Sequence, residues 1–147
     1  MKLPHFRGLG GVLLGLGLAL VQSVAVADGA IKFARQGREG LAKKDYEASF
    51  NGISQSRNIV LELLTSIKSE HDPELCERVK AVYTFMYSEM VSASMEKSVP
   101  KLDSVIKLLE FERETWSMLI GQLALERAAT RPAQAPSEPR PEISFQA

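Results

Sequence analysis

The chain has 147 residues, and its 18 basic and 18 acidic side chains give a formal net charge of zero. This length suits one domain, and a neutral chain lacks the basic excess with which proteins bind a nucleic-acid backbone. A single cysteine, Cys76, excludes an intramolecular disulfide framework. The two histidines, His5 and His71, are too far apart in sequence to suggest a transition-metal site. We therefore expect no nucleic acid, metal or cofactor.

Residues 1–27 form an atypical apolar segment that resembles a signal peptide. Lys2 and Arg7 precede the uncharged run GLGGVLLGLGLALVQS, and Ala25-Val26-Ala27 follows it. A basic start, an apolar run and small residues are typical of a secretory signal, here cleaved after Ala27. The run is short for a membrane span, which needs about 20 apolar residues. Membrane contact is therefore expected only if this segment is a true signal. The alternative is that it forms the start of a first bundle helix.

Residues 28–129 carry the helical periodicity of a folded domain. The first predicted helix runs from Asp28 to Lys44, although Gly37 and Gly40 weaken it. Asp45 is a suitable N-cap for a second helix over residues 46–69. Short polar links then lead to two further helices.

The third helix is predicted over residues 73–95, because Asp72 can cap it and Pro73 suits its first position. The fourth begins at Pro100 or Lys101 and ends near Arg127. The residues predicted to face the core are Phe50, Ile53, Val60, Leu64 and Ile67, then Leu75, Val79, Val82, Met86, Met90 and Ala93, and finally Leu102, Val105, Ile106, Leu109, Trp116, Ile120 and Leu123. This pattern predicts an all-α, antiparallel up-down four-helix bundle. Residues 130–147 are proline-rich and polar, which predicts a disordered tail.

Several large apolar side chains fall outside the predicted core-facing stripes, and we interpret them as a surface for a partner helix. The predicted partner-binding residues are Ile59, Leu63, Tyr83, Tyr87, Phe111, Met118 and Leu125. The last three are seven residues apart and lie nearly opposite the core stripe of the fourth helix. Two other interpretations stay open: the amino-terminal segment or the tail covers this face, or these are scattered surface residues.

Four segments resemble the FliS family of flagellar proteins. Residues 28–33, DGAIKF, are similar to the opening "YDGAI.F" of that family, and residues 53–63 look like its second helix. Residues 82–86 resemble its "LYDYM" segment, and residues 102–116 its closing "L..V..LL..LR..W". The resemblance covers about residues 28–123, in order and with compatible gaps.

The resemblance implies a cytoplasmic export chaperone. Members of this family bind the disordered carboxyl-terminal segment of flagellin, keep it from polymerising and deliver it to the flagellar export gate. The chain departs from the family at Ser94, where an Asn is usual, and before Asp28, where a polar start is missing. We favour a wrong start site or upstream reading frame over relocation to another compartment. Whether the chaperone forms a homodimer is left open.

Two other function classes are alternatives to an export chaperone. A secreted helical protein of the periplasm or cell surface would follow directly from the signal-like pattern. An enzyme has little support, because Glu110, Glu112 and Glu114 point to different sides of a helix and are expected to form a solvated flank. The sequence also has no nucleophile–base pair and no glycine-rich phosphate loop.

Overall fold

The computed structural model describes residues 6–67 and 73–131, with side chains described from Gln22 onward. The four helices in these ranges are α1 (Phe6–Ala42), α2 (Tyr46–Ser66), α3 (Pro73–Glu96) and α4 (Val99–Thr130), and no strand occurs in them. The predicted all-α four-helix architecture is confirmed. The predicted cap at Asp72 and the tail after residue 131 lie outside the described residues.

The helices are arranged up and down. Three ion pairs join α1 to α4: Asp28 with Arg113, Arg35 with Glu110, and Arg38 with Asp103. The residue numbers rise along α1 as they fall along α4, so the two helices are antiparallel. Each helix also packs against the next one along the chain. An antiparallel up-down bundle follows, as predicted.

Side-chain caps define the starts of two helices. The Ala48 amide donates to Asp45 Oδ1 at 3.1 Å, which confirms Asp45 as the N-cap of α2. The Lys101 amide donates to Ser98 Oγ at 3.3 Å, so α4 begins at Val99, slightly earlier than predicted. Lys44, with a φ of 57°, ends the turn after α1 in the left-handed region.

The first helix is much longer than predicted. It was expected to begin at Asp28, but α1 runs without a break from Phe6 to Ala42. Ala27, the residue before the predicted cleavage site, is only 4% exposed. The division of the chain at residues 27 and 28 stays a prediction. Over the described residues, no helix combines the length and the apolar character that crossing a membrane requires.

The interface between α1 and α2 is built from small residues. A Cβ added to Gly40 would lie 2.5 Å from the Ser49 nitrogen, and one added to Gly52 would lie 2.5 Å from the Gly37 nitrogen. The glycines predicted to weaken α1 therefore allow its backbone to approach α2 closely. Because the small residues face α1, Phe50 is turned outward and is 59% exposed, so its predicted core position was wrong.

The core between α3 and α4 follows the predicted stripes. Met86, Met90, Leu102 and Leu109 are fully buried, as predicted. The exception is Leu75, which was predicted to face the core but is exposed. Leu75 lies in the first turn of α3, where it lines a cavity at that end of the bundle instead of lying in the core.

Candidate functional site: an end cavity and an uncovered helix face

An apolar cavity of about 450 Å³ lies at the end of the bundle where α2 ends and α3 begins, and we call it the end cavity. All four helices contribute to its lining, which includes Val26, Leu63, Cys76, Val79, Tyr83 and Trp116. Glu62 is a charged residue on its wall. A concave space of this volume, lined mainly by apolar side chains, can accept side chains of a bound partner.

Tyr83 does not lie on an outward face. It was predicted to be a surface residue, but it is only 4% exposed and belongs to the core cluster. Its hydroxyl interacts with Trp116 and Glu112 on α4. Burial is the main cause that raises the pKa of Tyr83, and the interaction with Trp116 opposes that rise. Tyr83 therefore forms part of the cavity wall while its ring lies in the core of the bundle. Trp116 and Glu112 are the polar neighbours that the hydroxyl of a buried tyrosine needs.

Glu112 departs from the predicted solvated flank. Its side chain is half-buried beside Tyr83, and this burial raises the pKa of the Glu112 carboxyl above its ordinary value, against an opposing interaction with Tyr83. Glu110 also has a partner, since it pairs with Arg35 on α1. The three carboxylates on this stretch of α4 therefore have separate environments.

The outward face of α4 is uncovered by the described residues. Phe111, Met118 and Leu125 are 65%, 61% and 73% exposed. Their predicted position opposite the core stripe is therefore confirmed, although no contact tests their role. We call these three residues the α4 outer face. Three large apolar residues of α3, Leu75, Phe85 and Met95, are also exposed.

The predicted binding residues of α2, Ile59 and Leu63, are less exposed than those of the α4 outer face. Ile59 and Leu63 are partly buried and pack against the core cluster. Ile59 reaches α1, where its Cδ1 would lie 3.5 Å from a Cβ added to Gly29. Ile59 thus lies on the side of α2 that faces α1, and its predicted role in partner binding stays a prediction. Leu63 lies one turn further on and lines the end cavity.

Tyr87 is half-buried and has a partner that the sequence pattern did not indicate. The Arg57 guanidinium carbon lies 5.6 Å from the centre of its ring, within the range of a cation–π contact. A contact between two helices of this kind is not visible in the periodicity of either one.

Five of the seven predicted binding residues thus form two groups, and Ile59 and Tyr87 belong to neither. Leu63 and Tyr83 meet at the end cavity, whereas Phe111, Met118 and Leu125 form the α4 outer face. Sequence reasoning identified only Leu63 and Tyr83 among the cavity residues as binding residues. Among those it missed, Val26 was expected to precede a cleavage site, and Trp116 was expected in the core. The apolar lining and the exposed apolar residues suit the binding of an apolar helix face.

The sequence profile of the family described as flagellar protein FliS matches residues 22–123 of this chain. The matched range starts before Asp28 and includes the cavity residues Val26 and Trp116. It also includes Phe111 and Met118 of the α4 outer face. A comparison with curated proteins finds no match.

Proposed function

Because the chain belongs to the FliS family of flagellar proteins, we propose that it is a cytoplasmic export chaperone for flagellin. It binds the disordered carboxyl-terminal segment of flagellin, prevents premature polymerisation and delivers its client to the flagellar export gate. This role requires binding and release but no chemical step. It agrees with the apolar character of both candidate surfaces.

The single observation that carries this proposal, beyond the family, is the apolar surface that the described residues leave uncovered on α4. Burying one large apolar side chain contributes roughly 1.5–3 kcal/mol. Ordering a disordered segment costs on the order of 2–5 kcal/mol, and association has a further cost. Phe111, Met118 and Leu125 together offset the ordering cost, and the end cavity supplies additional apolar contact. A stable complex therefore needs both surfaces.

Calorimetric titration with flagellin tests the proposal directly. Intact flagellin is expected to bind in a one-to-one complex, and flagellin without its carboxyl-terminal segment is expected not to bind. Equal affinity for the intact and shortened flagellin would contradict the proposed binding mode. No binding to either form would contradict the chaperone function itself.

A secreted binding protein is the second candidate, because the apolar run before Asp28 has the pattern of a signal peptide. The continuous α1 helix, the burial of Ala27 and the start of the family match at residue 22 instead favour a folded protein that retains residues 22–27. Cleavage after Ala27 would remove Val26 from the wall of the end cavity. Mass spectrometry of the native protein distinguishes the two: a mature chain that begins at Asp28 would support secretion.

A further inference from the structure

A second apolar surface lies between α2 and α3, and we call it the α2–α3 groove. On α2 it comprises Tyr46, Phe50, Arg57 and Leu61, and on the other side Tyr87 of α3 and Lys97, which follows α3. The α2 residues recur at intervals of four, seven and four positions, so they share one face of the helix. The contact of Arg57 with Tyr87 shows that this face borders α3.

The groove presents apolar side chains to solvent along its whole length. Tyr46, Phe50 and Leu61 are exposed on α2. Exposed aromatic residues grouped on one face are typical of a binding surface, whereas isolated ones need no explanation. The α2–α3 groove shares no residue with the α4 outer face, because it lies on the side of α3 that faces α2.

Two cationic side chains make cation–π contacts with aromatic rings of the groove. The Lys97 ammonium lies 4.2 Å from the centre of the Tyr46 ring, and the Arg57 guanidinium lies over Tyr87. Neither cation takes part in an ion pair among residues 22–67 and 73–131. On α1, by contrast, both Arg35 and Arg38 pair with carboxylates of α4. The groove therefore has positive charges that the described part of the fold does not neutralise.

Arg57 also has an unsatisfied donor. Its Nε atom is buried and has no hydrogen-bond partner. The guanidinium of Arg57 is therefore neither paired with a carboxylate nor fully hydrogen-bonded by the described residues, and a carboxylate is the group that matches its planar fork. The ring of Tyr87 packs against one face of that fork.

We infer that the α2–α3 groove binds an acidic amphipathic helix, with one carboxylate at Arg57 and a second at Lys97. Tyr46 and Arg57 are eleven positions apart on α2, which corresponds to about 16 Å along the axis. A bound helix therefore presents two carboxylates about three turns apart, and its apolar residues between them contact Phe50. The inference rests on the proposed function insofar as this helix belongs to the flagellin client.

Synthetic peptides test the inference without flagellin. Three 18-residue amphipathic peptides share one apolar face and carry Glu, Gln or Lys at two positions eleven residues apart. The Glu peptide is expected to bind the full chain about tenfold more tightly than the Gln peptide, as measured by calorimetry, because charged hydrogen bonds are stronger than neutral ones. The Lys peptide is expected to bind most weakly.

Variants of the chaperone locate the effect. Arg57→Gln is expected to remove most of the preference for the Glu peptide, and Lys97→Gln a smaller part. Arg78→Gln is the matched control, because Arg78 is exposed on α3 and pairs with Glu74 at 2.7 Å. This control is expected to keep the full preference. Circular dichroism establishes that each variant is folded, and the comparison of peptides on the unaltered chain needs no variant.

Three results would overturn the inference. The first is that the unaltered chain binds the Glu and Gln peptides with equal affinity, or that Arg57→Gln and Arg78→Gln reduce the preference for the Glu peptide equally. The second is self-association of the chain that Arg57→Gln abolishes, which would assign the groove to a second copy. The third is a higher peptide affinity after removal of residues 132–147, which would assign the groove to the chain's own tail. A peptide preference without flagellin binding would keep the groove and reject the flagellin client.

Discussion

The α1–α2 interface and the exposed side of α3 and α4 differ in the size and the burial of their residues. Between α1 and α2, glycine and serine bring the two backbones together and leave no room for a further methyl group. On the outside of α3 and α4, Phe85, Phe111 and Met118 extend into solvent. The first region fixes the fold, and the second leaves apolar surface exposed, which we propose binds a partner. Substitutions should therefore separate stability from binding.

The largest effect is expected at the close interface. Gly52→Ala places a methyl group 2.5 Å from the Gly37 nitrogen and 2.8 Å from the Phe33 oxygen, which are backbone atoms and cannot move independently. Overpacking of this kind outweighs the higher helix propensity of alanine, and we expect a loss of about 2 kcal/mol in the free energy of unfolding. Urea denaturation followed by circular dichroism measures this loss.

Gly121→Ala is the matched control for that substitution. No atom lies within 4 Å of a Cβ added there, on the exposed part of α4. The same exchange should therefore stabilise the protein by up to about 1 kcal/mol through helix propensity alone. If both variants changed stability in the same direction, the distinction between a closed and an open region would fail.

A smaller effect, on binding alone, is expected at the open region. Phe111→Asp should weaken flagellin binding by more than about 1 kcal/mol, because it replaces an apolar anchor with a charge. Helicity should stay unchanged, since Phe111 is mostly exposed. Ser104→Asp adds the same charge to an exposed position of the same helix and removes no apolar surface. Equal weakening in both variants would attribute the effect to charge and would remove Phe111 from the binding surface.

The smallest effect concerns Glu112, at the border of the two regions. Because burial raises the pKa of Glu112, the folded state binds its proton more tightly than the unfolded state. The ionised carboxylate therefore destabilises the fold at neutral pH, and this penalty disappears as the pH falls below the ordinary value of 4.5.

Glu112→Gln is accordingly expected to raise the melting temperature at pH 7, and its advantage over the unaltered chain should shrink on acidification. Thermal melts of both proteins from about pH 4 to about pH 7 measure this difference. Glu114→Gln removes the same charge from an exposed position of α4 and serves as the control. An advantage that grows as the pH falls would contradict the assigned burial.

Sequence periodicity was most successful where large apolar residues form the contact. Met86, Met90, Leu102 and Leu109 are buried as predicted, and the seven-residue spacing of Phe111, Met118 and Leu125 correctly placed them outside the core. In each case one helix alone contains the information, because its own periodicity separates the inward from the outward side.

Periodicity was least successful where small residues or pairs of helices decide the geometry. Phe50 was assigned to the core because it is apolar, but the contact with α1 is made by Ser49 and Gly52. The spacing of Gly37 and Gly40 was a signal for close packing that hydrophobicity does not register. Tyr83 was misplaced because its burial depends on neighbours from α4, which only the folded chain brings together.

The position of Trp116 makes occupancy of the end cavity directly observable. It is the only tryptophan of the chain, and it lines the cavity beside Tyr83. Indole emission shifts in wavelength with the polarity of its surroundings, so a segment that displaces solvent from this space will change the spectrum of the unlabelled protein. A segment bound only in the α2–α3 groove will leave that spectrum unchanged.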